Sequence, residues 1–190
     1  MQENESLNAL GFSHRFMEQH ICPGDLCIDG TAGRGRDTLF LAKLVGASGR
    51  VIAFDIQEEA INSTRSLLSE NAVTWANVYQ DSHDNMDRYA KPESVSGIMF
   101  NFGWLPGGDH RVFSHGETSV EAIRKALDLL RPGGVMSLCI YYGKETGYEE
   151  KNAILSFLKT VDAQRFTVVL CDFVNRSGEP PMIALIWKER

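Results

Sequence analysis

The sequence has no apolar run approaching the roughly 20 residues that a membrane-spanning helix needs; its hydrophobic stretches are strand-sized. It also lacks any excess of positive charge. Its 19 Lys and Arg stand against 25 Asp and Glu, a net charge of −6, so the chain does not grip nucleic acid over its whole surface, although a local basic patch remains compatible with that balance. Metal-site spacing is missing as well. The 4 cysteines, Cys22, Cys27, Cys139 and Cys171, form no C-x-x-C and have no paired histidines. Cys27, Cys139 and Cys171 sit inside apolar runs and read as small buried hydrophobes of a reducing compartment. No metal is expected. The start, Met1 to Ser6, is acidic and polar, unlike a secretory signal or a transit peptide, and the expected location is the cytoplasm. There is no internal repeat, low-complexity tract or linker.

What is present is an ordinary globular composition, 43% apolar and 23% charged over 190 residues, which fits one domain spanning 1–190. Short β-branched runs alternate with longer amphipathic ones, the pattern of a parallel α/β sheet. The pattern predicts helices at Ser13–His20 (with Ser13 as cap), Asp37–Leu44, Glu58–Glu70 and Tyr148–Thr160, a short helical stretch near Asn85–Tyr89, and another helix ending at Leu130. Strands are predicted at Leu26–Asp29, Arg50–Asp55, Val78–Gln80, Gly97–Phe100, Val135–Ile140, Phe166–Asp172 and Met182–Trp187. Arg131-Pro132-Gly133-Gly134 reads as a helix stop, and Asn101–Gly116 as a long loop. Only the last two strands are close enough in sequence to be antiparallel neighbours. The expectation is a seven-stranded, mostly parallel, Rossmann-like sheet with an antiparallel C-terminal strand, the layout of class I methyltransferases.

The strongest local signal is Asp29-Gly-Thr31-Ala-Gly33-Arg34-Gly35-Arg36-Asp37-Thr38 after the first strand. A strand ends in a carboxylate, glycines let backbone approach a ligand, and a helix then starts with unpaired N–H groups. A dinucleotide fingerprint wants a small third residue where this chain has Thr38. A carboxylate four residues before Gly33 suits the cationic aminoacyl end of S-adenosylmethionine and would repel a pyrophosphate. A dinucleotide and a merely structural turn remain the alternatives. Asp55, at the end of the second strand, can accept two ribose hydroxyls or cap the next helix; Gln57 borders it. Asp81-Ser82-His83 ends the third strand, where an adenine amino group needs an acceptor or where a helix needs a cap.

At the end of the fourth strand comes Asn101-Phe102-Gly103-Trp104-Leu105-Pro106-Gly107-Gly108-Asp109. It resembles the N-P-P-Y element of amino-methyltransferases. By that resemblance Asn101 and the Phe102 carbonyl would orient an amine, and Trp104 or Phe102 would stack on the target base; the bland alternative is a glycine-rich surface loop. The two segments together, in a chain this short, resemble the bacterial rRNA methylase family, over essentially Gly11 to Trp187. That family includes tRNA 5-(aminomethyl)uridine methyltransferases acting at the wobble position. Arg34, Arg36 and Trp104 depart from its usual pattern.

The resemblance implies S-adenosyl-L-methionine as cofactor, held by Asp29, Thr31, Gly33, Arg34, Gly35, Arg36, Asp55, Gln57, Asp81, Ser82 and His83. It implies Asn101, Trp104 and His83 at the reaction. An aminomethyl group is largely protonated at neutral pH, and His83 is a candidate to receive its proton. The expected partner is RNA, the tRNA anticodon region, met by loops that mix basic and aromatic residues; neither DNA nor membrane is expected. A chain this small could borrow RNA-binding surface from a second copy in a homodimer. Methylation of rRNA or a small molecule, an NAD(P)-dependent oxidoreductase and a non-catalytic S-adenosylmethionine-binding module stand as alternatives.

Overall fold

A computed structural model describes residues 8–103 and 116–190, without the side chains of 144–146. Its strands are β1 (Leu26–Asp29), β2 (Arg50–Asp55), β3 (Ala76–Gln80), β4 (Val95–Phe102), β5 (Leu130–Ile140), β6 (Phe166–Cys171) and β7 (Met182–Lys188). They form one sheet in the order β3-β2-β1-β4-β5-β7-β6. β1 to β5 run parallel, and β7 lies antiparallel between β5 and β6. This is the seven-stranded, mostly parallel arrangement expected.

The helices are α1 (Ala9–Glu18), α2 (Arg36–Val45), α3 (Glu58–Glu70), α4 (Gly116–Leu129) and α5 (Lys144–Leu158), with a 3-10 helix at His83–Arg88. They cover both faces, so the central strands are apolar on both sides. Ile28, Ile52, Phe54, Ile98, Phe100 and Leu138 pack on one face with α4 and α5. Cys27, Val51, Ala53, Met99 and Cys139 pack on the other with α1 and α2. The apolar run of each strand therefore spans the core, and its first polar residue, Asp29, Asp55 or Asn101, falls at the carboxyl edge of the sheet.

Several boundaries differ from expectation. α1 starts one turn early, because Asn8 rather than Ser13 is its cap: Asn8 Oδ1 accepts from Gly11 N at 2.7 Å. Ser13 is instead buried mid-helix, its hydroxyl 2.5 Å from that of Ser137, which pins α1 to β5. α4 stops at Leu129, and β5 begins at once, so Arg131–Gly134 is not a turn but an irregular entry into the strand. There Leu130 pairs with Val95 and Val135 with Gly97, a register shift that tertiary pairing imposes on a locally turn-like sequence. Gly134 fits because a Cβ would lie 2.9 Å from Arg131 O and 3.0 Å from Val95 O. β4 runs two residues further than expected, so Asn101 and Phe102 belong to the strand. Cys27 and Cys139 are buried as expected, but Cys171 is only half-buried.

Candidate active site

The carboxyl ends of β1, β2 and β4 meet around the turn between Asp29 and Arg36. Asp29 is fully buried beneath it. Its Oδ1 accepts from Thr31 N at 3.0 Å, and its Oδ2 accepts from Thr38 Oγ1 at 2.6 Å. Burial raises its pKa, the Asp37 carboxylate adds to the effect, and the two hydrogen bonds oppose it, leaving it at about 7. Thr38, the residue that spoils a dinucleotide fingerprint, thus ties α2 to β1.

The turn is pulled towards β2 by two bonds. Ala32 N donates to Phe54 O at 2.8 Å, and Gly33 N donates to Asp55 Oδ2 at 2.9 Å. Asp55 Oδ1 accepts from Gln57 N at 3.0 Å. Each carboxylate oxygen keeps a lone pair for a further donor. Ile56, between Asp55 and Gln57, is 52% exposed, an apolar surface at the carboxyl edge of the sheet. Gly33 and Gly35 have φ of 53° and 80°. At Gly35 the need for glycine is set by packing more than by ligand room: a Cβ would sit 2.9 Å from Thr64 Cα. Arg34 and Arg36 are both exposed on this turn.

β3 leads to Asp81, whose carboxylate is engaged from within. Oδ1 accepts from Ser82 N and Asn85 Nδ2, each at 2.8 Å, and Oδ2 accepts from Tyr89 OH at 2.7 Å. Those donors, Tyr89 foremost, lower its pKa. Asp81 thus ties β3 to Asn85 and Tyr89 across the 3-10 helix, whose N-cap is Ser82 with no side-chain capping bond. His83 stands edge-on to Phe100 and Phe102, ring centroids 5.9 Å away in both cases. Burial lowers its pKa, with Asp84, the Gly30 backbone and Asp55 opposing, so the neutral imidazole is favoured. Among the described residues its Nε2 is the buried side-chain polar atom without a hydrogen-bond partner.

Asn101, next to last in β4, lies beside the turn. Its N–H donates to Thr31 Oγ1 at 2.7 Å, and its Nδ2 donates to Asp37 Oδ2 at 2.6 Å. With the amide nitrogen donating to this carboxylate oxygen, Oδ1 is the atom left to face a ligand. Asp37 Oδ1 in turn lies 2.6 Å from Nε2 of His14, a ring stacked on Phe40 at 3.8 Å. Neither Asp37 nor His14 was expected here: the first reads as a favourable acid in a first helical turn, the second as one polar residue of an amphipathic helix.

Phe102 departs from expectation twice. Its carbonyl accepts from Tyr141 N at 2.9 Å, continuing the sheet rather than turning to a ligand. Its ring is buried, stacked on Phe100 at 4.9 Å, and so offers no face to a base. Trp104 and the charged residues of 104–115 lie outside the described residues. Among the described residues no group of His, Cys, Asp and Glu could hold a metal, and no helix is long and apolar enough to cross a membrane.

The model of a family described as "Putative rRNA methylase" matches residues 51–187. A "tRNA (mnm(5)s(2)U34)-methyltransferase, chloroplastic" of Arabidopsis thaliana is 32% identical, over 93% of this chain and 68% of that one. A "putative rRNA-methylase" from Clostridium thermocellum superposes with a TM-score of 0.93 at 43% identity, covering 96% of this chain and 98% of the other. A "putative methyltransferase" from Streptococcus mutans, crystallised in complex with SAH, gives 0.87 at 34% identity, with 96% and 98% covered.

Proposed function

The chain belongs to the "Putative rRNA methylase" family, and from that premise we propose that it N-methylates a 5-aminomethyluridine at the wobble position of tRNA. It is an S-adenosylmethionine-dependent methyltransferase. The residues present suit that cofactor. Asp55 retains lone pairs for two ribose hydroxyls, Ile56 and Gln57 flank a base, and Thr31 with Gly33 and Gly35 brings backbone close. When bound, S-adenosylmethionine supplies a methyl carbon activated by its sulfonium.

The observation that carries the amine assignment is Asn101, at the end of β4 with its amide nitrogen committed to Asp37. Its Oδ1 accepts an N–H of the incoming amine and so aims the nitrogen lone pair at the methyl group. In-line methyl transfer needs positioning more than acid–base power. The amine must still shed a proton first, and we assign His83 Nε2 to take it and hand it on to solvent, since burial disfavours a lasting imidazolium there. Trp104 stacks on the target base, and Arg34 and Arg36, exposed on the turn, border the RNA. A homodimer, in which a second copy adds RNA-binding surface, belongs to the same reading, as does a cytoplasmic location.

The test is nucleoside mass spectrometry. Purified protein with S-adenosylmethionine should convert 5-aminomethyluridine in tRNA to its methylamino form, and cells lacking the protein should accumulate the unmethylated nucleoside. An unchanged tRNA profile together with a lost rRNA methylation would move the acceptor to rRNA.

A further inference from the structure

Two part-buried hydrogen bonds meet at the Asp37 carboxylate behind Asn101. Asp37 is 5% exposed and lies between the two donors it serves. Its Oδ2 takes the Asn101 amide and its Oδ1 takes His14, each at 2.6 Å. His14 cannot drift, because it is stacked on Phe40 and carried by α1, which Ser13 fastens to β5 through Ser137. Asn101 is fixed at its other end by the bond from its N–H to Thr31. Three elements, α1, α2 and β4, thus converge to set the rotation of one side-chain amide.

We propose that Asp37, braced by His14, is the positioning residue that holds the Asn101 amide with its oxygen toward the acceptor and thereby selects an acceptor atom that carries its own hydrogen. This rests on the reading of Asn101 as the amine-orienting group. A free Asn amide presents oxygen or nitrogen by a simple half-turn, and the two faces have opposite hydrogen-bonding sign. With nitrogen bound to Asp37, only an acceptor such as an amine N–H finds a partner at Oδ1. A ring nitrogen or carbonyl oxygen without a hydrogen meets lone pair against lone pair. The carboxylate is therefore part of the specificity of the site although it need not touch the substrate. A neutral amide at position 37 could satisfy His14 with its oxygen and would then turn its own N–H groups on Asn101, favouring the wrong half-turn.

Exchanging the two groups tests this. Asp37→Asn should lower kcat for 5-aminomethyluridine tRNA about 100-fold, the scale seen when a reacting group is misplaced. The Kd for S-adenosylmethionine, read separately by calorimetry, should change less than about twofold, since no ligand contact is removed. Asn101→Asp alone should also be slow, because two carboxylates then face each other at hydrogen-bond distance. The double variant Asp37→Asn with Asn101→Asp restores one donor facing one acceptor, and its kcat should exceed either single variant by about tenfold or more, a non-additivity expected only of groups in direct contact. Thermal unfolding of all three variants identifies any that fail to fold. A wild-type kcat in Asp37→Asn, or a double variant no faster than Asn101→Asp, overturns the proposal. A wild-type protein that does not methylate the amine at all overturns the underlying function instead, so the two failures are told apart.

Discussion

Gly33 donates its backbone N–H to Asp55 Oδ2 at 2.9 Å, so the glycine turn after β1 is fastened to the carboxylate that ends β2. The same carboxylate takes Gln57 N through its other oxygen. Asp55 therefore shapes the turn as well as offering lone pairs to a ribose. Asp55→Ala removes both functions and should weaken S-adenosylmethionine by about 1.5–3 kcal/mol, the scale of charge-assisted hydrogen bonds. Calorimetry gives the value directly. Undiminished affinity would remove Asp55 from the cofactor site.

Gly35 makes a purely steric prediction. Its φ of 80° disfavours any side chain, and an added Cβ would lie 2.9 Å from Thr64 Cα on α3. Backbone strain and overpacking act together, so Gly35→Ala should lose about 2–4 kcal/mol of stability. Urea unfolding measures this. A loss below about 1 kcal/mol would mean that α3 can yield at this point.

Asp29 predicts a pH dependence. Its folded pKa of about 7 lies above the unfolded 3.8, so the folded state holds this proton more tightly. The associated stability is fully present below about pH 4 and is lost as pH rises through 7, an effect of at most about 4 kcal/mol. Asp29→Asn removes the titration but also one acceptor for Thr31 or Thr38. The variant should be less stable than the wild type at pH 4 and should match or exceed it at pH 8. Denaturant midpoints across that range give the comparison, and a stability difference independent of pH would contradict the raised pKa.

Which features the sequence reveals follows from how local their causes are. Asp29 and Asp55 could be placed because a parallel strand buried on both faces is a continuous apolar run, and the first carboxylate after it marks the sheet edge. The start of α1 was misplaced because Ser13 and Asn8 are both good caps, and only burial of Ser13 against Ser137 decides between them. β5 was shortened because Pro132 and Gly133 signal a turn, whereas pairing of Leu130 with Val95 is a long-range fact. Phe102 reads as available for stacking, but β4 carries it into the core. Asp37 with His14 could not be read at all. His14 and Asp37 are 23 positions apart, and Asp37 is 64 from Asn101; His14 lies in no motif, and the glycine-turn motif that contains Asp37 does not mark it as Asn101's partner.

The acceptor side gives the sharpest contrast. If Asn101 orients the amine, its contact matters most near the transition state, so Asn101→Ala should depress kcat by about 100-fold while leaving S-adenosylmethionine affinity nearly intact. Trp104→Ala should act differently. Stacking of a base is worth about 1–3 kcal/mol in the bound state, which corresponds to a rise of roughly 5- to 150-fold in KM for tRNA. Both variants should still bind the cofactor, since neither residue belongs to the turn that holds it. Steady-state kinetics on tRNA carrying 5-aminomethyluridine separates the two effects. An Asn101→Ala enzyme with near wild-type turnover would reduce the end of β4 to a structural feature and remove the main local support for amine methylation.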